Sequence, residues 1–97
     1  MLKRTLCIEN PCHLKCSNEQ LVISYAHLKG LEDRQDKTVP IEDIGVLVLE
    51  HPQITITHFL LDQLITNNIA VITCNSTHHP SGMLLPLESH TLQSERF

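Results

Sequence analysis

The sequence predicts a mostly β domain with one helix, an α+β fold of two small packed β-sheets that include a strand-helix-strand unit. Three observations carry that prediction. Short runs rich in Ile, Leu, Val and Thr recur between turn-forming clusters from the beginning of the chain. Two of these runs, Ile44-Gly45-Val46-Leu47-Val48-Leu49 and Ile69-Ala70-Val71-Ile72-Thr73, are apolar on both parities, the pattern of strands covered on both faces. Between them, Thr57 to Asn67 sets Phe59, Leu60, Leu61, Leu64 and Ile65 at helical spacing against Asp62, Gln63 and Thr66.

The elements follow in order. Residues 3 to 8, Lys-Arg-Thr-Leu-Cys-Ile, have strand character, and Glu9-Asn10-Pro11 ends them with turn residues. His13-Leu14-Lys15-Cys16 alternates, Ser17-Asn18-Glu19 turns, and residues 20 to 25 form a third strand, so these three are expected as consecutive antiparallel strands. Lys29 to Lys37 is charged and polar and reads as a solvated hairpin loop. Thr38-Val39-Pro40-Ile41 returns as a strand, and Pro40, which lacks an N–H, places it at an edge. The helix 57–67 stops at Asn67-Asn68 and joins the two doubly apolar strands as a right-handed crossover. Met83-Leu84-Leu85-Pro86-Leu87 is the last strand-like piece, and the tail from Glu88 to Phe97 has no core of its own.

Ninety-seven residues suffice for one modest core and no second domain. The chain is 41% hydrophobic and 19% charged with almost no aromatics, so Ile, Leu and Val must build the core. No window holds the ~18 uninterrupted apolar residues of a membrane span, and the first residues lack the apolar region of a secretory signal, so the cytoplasm is the expected location. Net charge is −4 and the cations are scattered, which argues against autonomous, high-affinity DNA binding, since that needs clustered cations to displace counterions.

Chemistry is sparse. The segment Cys74 to Gly82 gathers a thiol, two imidazoles and several hydroxyls, yet it offers no evident oxyanion hole. A polar turn explains it, with Asn75, Ser76 and Ser81 satisfying backbone groups and Gly82 supplying a positive φ. His78 and His79 are adjacent and point apart on extended backbone, while His51, His58 and His90 could join a metal only through tertiary contacts. Cys7, Cys12 and Cys16 are spaced C-x4-C-x3-C, unlike structural zinc sites, and reduced structural cysteines are expected. Glu42-Asp43 and Asp33 with Asp36 read as solvated loop charge rather than a Mg²⁺ site.

Four segments carry a family resemblance: residues 37–50, Ile54-Thr55-Ile56-Thr57-His58, residues 68–74 and residues 80–87. Together they resemble the N-terminal domain of the CRISPR-associated integrase that inserts new spacers, and Thr57-His58 with residues 90–97 looks like the branch found in type II systems. The likeness covers essentially the whole chain and is looser over residues 9 to 36. It implies that residues 1–88 form a β dimerisation domain and residues 89–97 begin a linker to a helical domain. That domain, in the family, holds Mg²⁺ or Mn²⁺ and performs phosphodiester chemistry on DNA as an endonuclease and integrase. No catalytic residue, no metal ligand and no cofactor are therefore expected within these 97 residues. The implied partners are a second copy in a homodimer, the second CRISPR spacer-acquisition protein and double-stranded DNA, with no membrane. In some relatives the turn between the first two strands reaches the end of the captured duplex, so Asn10 and His13 are the expected DNA contacts.

Two other readings remain open from the residues alone. One is a small autonomous Cys/His metal-binding module, which would carry stoichiometric zinc. The other is a small Cys-His hydrolase, in which Cys74 would react rapidly at neutral pH. Two thin sheets in so short a chain also leave apolar surface exposed, so the isolated chain is expected to aggregate.

Overall fold

The computed structural model describes residues 3–25 and 35–87. Eight strands and one helix follow in order: β1 (Arg4–Ile8), β2 (Cys12–Ser17), β3 (Gln20–Ser24), β4 (Lys37–Pro40), a 3-10 turn (Ile41–Asp43), β5 (Ile44–Leu49), β6 (Ile54–Ile56), α1 (His58–Thr66), β7 (Ala70–Cys74) and β8 (Pro80–Leu84). They form two four-stranded sheets, one ordered β1-β5-β7-β8 and the other β4-β3-β2-β6. The expected two-sheet α+β architecture is present.

In the first sheet β1, β5 and β7 run parallel, with Leu6 opposite Leu47 and Leu47 opposite Val71. Antiparallel β8 closes the far side. The crossover from β5 to β7 passes through β6 and α1, as a parallel pair requires. In the second sheet β3 lies antiparallel to both β2 and β4, and β6 adds parallel to β2.

This arrangement corrects the expectation that β1, β2 and β3 are successive antiparallel neighbours. Glu9-Asn10-Pro11 does not close a hairpin but carries the chain from one sheet to the other. β1 instead pairs with β5, a junction extended by the Glu50 N–H donating to the Ile8 carbonyl at 2.9 Å. Strand β6 was not anticipated, because Ile54-Thr55-Ile56 is only three residues long and precedes a helix cap directly. The last strand begins at Pro80 rather than Met83, so Leu85 to Leu87 lie outside it. The segment expected as a hairpin loop, Lys29 to Lys37, falls mostly outside the described residues. The tail from Glu88 does so entirely.

Local chemistry accounts for the boundaries. Thr57 caps α1 by accepting the Leu60 N–H on its hydroxyl at 3.2 Å. The helix ends in a Schellman turn: Asn68 sits at φ 61°, its N–H donates to the Ile65 carbonyl, and the Ile69 N–H reaches the Leu64 carbonyl at 2.9 Å. β2 and β3 are joined by a two-residue turn with Asn18 at φ 53° and Glu19 at φ 60°, the left-handed pair that matches hairpin twist.

The core lies between the sheets. Leu14, Leu21, Ile44, Leu47, Leu60, Leu64 and Ile69 are fully buried there, and α1 packs against β2 and β7 through Leu60 and Leu64. Phe59, expected on the apolar face of the helix, is instead 59% exposed. Among the described residues the doubly apolar strands are fully covered on one face and partly covered on the other. Leu47 and Val71 join the core, whereas Val46, Val48, Ala70 and Ile72, on the alternate parity, stay half-buried outside it.

Candidate functional site

Sequence reasoning singled out Asn10 and His13, and the structure places them on different surfaces. Asn10 follows β1 in an exposed bend. It lines a cleft of about 510 Å³ where the edges of the two sheets face each other, with Leu6, Ile8, Tyr25, Lys37 and Val39 among the other walls. His13 lies within β2, whose flanking Cys12 and Leu14 are fully buried, so its ring projects from the opposite side of that sheet.

On that outer side the strand register assembles a polar row. His13 stands opposite Ser24 of β3 and opposite Thr55 of β6. The His13 Nδ1 and the Thr55 hydroxyl are 2.7 Å apart, a hydrogen bond that fixes the ring. Lys15, two residues on, presents the adjacent cation, opposite Val22. Thr55 was missed by sequence reasoning because β6 was not recognised; its Ile-Thr-Ile alternation was the available signal. Val22 and Ser24 are buried although they share this outer face rather than the core.

The Cys74 to Gly82 segment is a closed turn. The Asn75 side-chain oxygen accepts the backbone N–H groups of Thr77 and His79 at 3.0 and 3.1 Å, and the Thr77 hydroxyl donates to it at 2.6 Å. The Asn75 and His79 main chains also bond at 2.8 Å. Ser81 donates to the Thr73 carbonyl, as expected of a backbone partner. The left-handed residue is His78, at φ 63°, not Gly82. At Gly82 a Cβ would sit 3.2 Å from the hydroxyl of Thr73, its cross-strand partner, a tight contact with a single side-chain atom.

Neither thiol with a shifted pKa behaves as a poised nucleophile. Burial pushes the Cys12 thiol up. Cys74 is raised as well, first by desolvation and then by the nearby Glu50 carboxylate and the Cys7 thiol, so its thiolate is scarcer at neutral pH than that of a free cysteine. A hydrolase would need the opposite. His79 is tied to the Thr77 hydroxyl at 2.9 Å and His51 accepts the Gln53 N–H at 3.0 Å, while His90 lies outside the described residues. Among the described residues no three His, Cys, Asp or Glu side chains gather closely enough to hold a metal ion. The described side chains do not fit Mg²⁺ or Mn²⁺. The same residues provide no ligand set for a Cys/His metal module. Among them, too, no helix is long and apolar enough to cross a membrane.

Comparison with known proteins gives these features a setting. Residues 6–96 match the family described as "CRISPR associated protein Cas1". A CRISPR-associated endonuclease Cas1 of Neisseria meningitidis serogroup C (strain 8013) is 31% identical over 93 residues, which are 96% of this chain but 28% of that protein. The chain therefore spans little more than a quarter of that relative's length. Among solved structures, a Cas1 protein from Thermotoga maritima superposes with a TM-score of 0.73 at 14% identity, covering 91% of this chain and 25% of that one. A partial Cas6-RT-Cas1–Cas2 complex gives 0.72 at 15% identity, covering 89% and 24%, and a TtCas1-DNA complex gives 0.68 at 19% identity, covering 87% and 29%. At these identities the structures speak to the fold alone.

Proposed function

The chain belongs to the CRISPR-associated Cas1 family, and from that premise we propose that residues 1–88 act as its dimer-forming N-terminal β domain. In this reading the intact protein is a metal-dependent DNA endonuclease and integrase that captures and inserts spacers in antiviral defence in the cytoplasm. Residues 89–97 lead toward a helical domain that binds Mg²⁺ or Mn²⁺ and carries the catalysis. The domain described here positions and assembles. The observation that supports this most directly is the family match over residues 6–96 together with the 28% of the Neisseria protein that it accounts for.

Double-stranded DNA and the second spacer-acquisition protein, Cas2, are the partners of the intact assembly. The TtCas1-DNA complex and the Cas6-RT-Cas1–Cas2 complex support that reading, since each contains the same fold. Asn10 and His13 are the residues of this chain assigned to DNA, each from its own surface. The hydrogen bond between Thr55 and His13 orients the imidazole ring, and Lys15 on the same face supplies a charge for the phosphate backbone.

The test is anisotropy of a labelled blunt duplex at low salt, with a cleavage assay in Mg²⁺ and in Mn²⁺ run beside it. Weak binding that falls severalfold in His13→Ala and in Asn10→Ala, with the DNA left intact, is the expected result. Binding indifferent to both substitutions would remove the assigned contact. Cutting by the purified chain would refute the division of labour.

A further inference from the structure

A cleft of about 370 Å³ opens where α1 ends, and three segments distant in the chain build it. The β2–β3 turn brings Asn18, Glu19 and Gln20, the 3-10 turn brings Ile41 and Glu42, and the last turn of α1 brings Gln63 and Asn67. Main-chain bonds fix their relation. The Ile41 N–H donates to the Glu19 carbonyl at 3.2 Å, extending the β3–β4 ladder past the Gln20–Pro40 pair. Ile41 itself is buried in the core, so the 3-10 turn that carries Glu42 is anchored rather than free to swing away.

The lining is rich in acceptors and holds no cation. Four carboxamides and two carboxylates face the cleft, and among the described residues no Lys, Arg or His lines it. The Asn67 side-chain nitrogen is committed to the Gln63 carbonyl at 2.7 Å, so its oxygen is the group left over. The C-terminal end of α1 adds the negative pole of the helix, and its last turn has no basic residue to neutralise that pole. Glu42, which in the sequence reads as solvated loop charge, is thus set beside Glu19 and a helix end of the same sign.

The geometry points to a docking site for an arginine side chain of a partner protein, its guanidinium received by Glu19, Glu42 and the Asn67 oxygen at the end of α1. A metal ion does not fit, because no three ligating side chains gather closely enough among the described residues. Nucleic acid does not fit either, since the carboxylates and the helix pole repel phosphate. A guanidinium offers five N–H donors in a flat fork and uses acceptors spread around a cleft, whereas an ammonium is a compact point charge with three. Free arginine carries a carboxylate that the same lining repels; an arginine within a protein segment does not.

Backbone amide resonances of the 97-residue chain, followed during titration with a capped glycine-arginine-glycine tripeptide, test the proposal. Residues 18–20, 41–42 and 63–67 should shift together along one saturation curve. The lysine tripeptide and free L-arginine should each bind more weakly. Glu42→Gln should weaken the arginine tripeptide about threefold to fivefold. Glu19→Gly should weaken it similarly while raising the unfolding midpoint, because glycine relieves the φ of 60° there, so lost binding cannot be ascribed to lost fold. Shifts scattered over the other carboxylates, or binding indifferent to both substitutions, would overturn the site. Equal binding of the lysine tripeptide would overturn the guanidinium, and equal binding of free L-arginine would overturn a protein partner. A short DNA duplex that moved the same resonances would overturn it too.

Discussion

The two faces of the β5–β7 pair are built from equally apolar residues and meet different fates. Inward, Leu47 and Val71 are 0% and 2% exposed and belong to a continuous core with Leu14, Leu21, Leu60 and Leu64. Outward, Val46, Val48, Ala70 and Ile72 are only half-buried, and Met83, opposite Ile72 on β8, is 57% exposed. The one helix among the described residues packs against β2 of one sheet and β7 of the other rather than onto the outer face. An apolar sheet face that its own fold leaves partly open is a surface suited to contact with other protein, whether from a second copy or from the remainder of a longer chain.

That contrast can be broken by substitution. The largest effect belongs inside: Leu47→Ala should cost about 2–5 kcal/mol in urea unfolding, because the fully buried site loses both its transfer energy and its packing. If the outer face is as open as described, Val48→Ala should cost about 1 kcal/mol or less by the same measurement. Equal losses at the two neighbouring positions would contradict the one-sided burial.

The thiols sharpen the same comparison through pH. Cys12 is fully buried and its folded pKa is raised above the ordinary 9.0. The unfolded chain therefore releases this proton before the folded one does. The stabilising contribution is complete below about pH 8.5 and is lost as pH rises through the folded pKa, at up to about 1.4 kcal/mol per pH unit. Denaturation followed from pH 7 to 10 should show a steeper alkaline loss in the parent than in Cys12→Ala. Identical slopes would mean that the thiol is not shielded. The smallest effect lies on the surface, where Glu19 holds φ 60° in the β2–β3 turn. Glu19→Gly should stabilise by roughly 0.5–1 kcal/mol, relief of left-handed strain outweighing the added freedom of the unfolded chain.

Much of this was legible in the sequence because the periodic signals are local. The stop at Asn67-Asn68, the turn at Ser17-Asn18-Glu19 and the edge position of Pro40 each follow from the chemistry of a few residues, whereas the helix 57–67 was legible from its spacing and the capping role of Thr57 emerged only in the structure. What was not legible depends on partners distant in the chain. β1 pairs with β5 some forty positions away, and nothing in Arg4–Ile8 distinguishes that pairing from a hairpin with β2. Likewise, the apolar parity of Val46 and Val48 shows that a cover would suit them but not whether this chain provides one. At the candidate site, His13 could be singled out in the sequence, whereas its orientation by Thr55 depends on a three-residue strand whose only mark is a single alternation.

The claim on which the rest turns is that this stretch of Cas1 is an assembly module. Sedimentation equilibrium of the purified chain across tens of micromolar measures it most directly. A mass approaching twice the 11.0 kDa of the monomer, falling toward 11.0 kDa on dilution, is the predicted result. A mass fixed at 11.0 kDa throughout would contradict it.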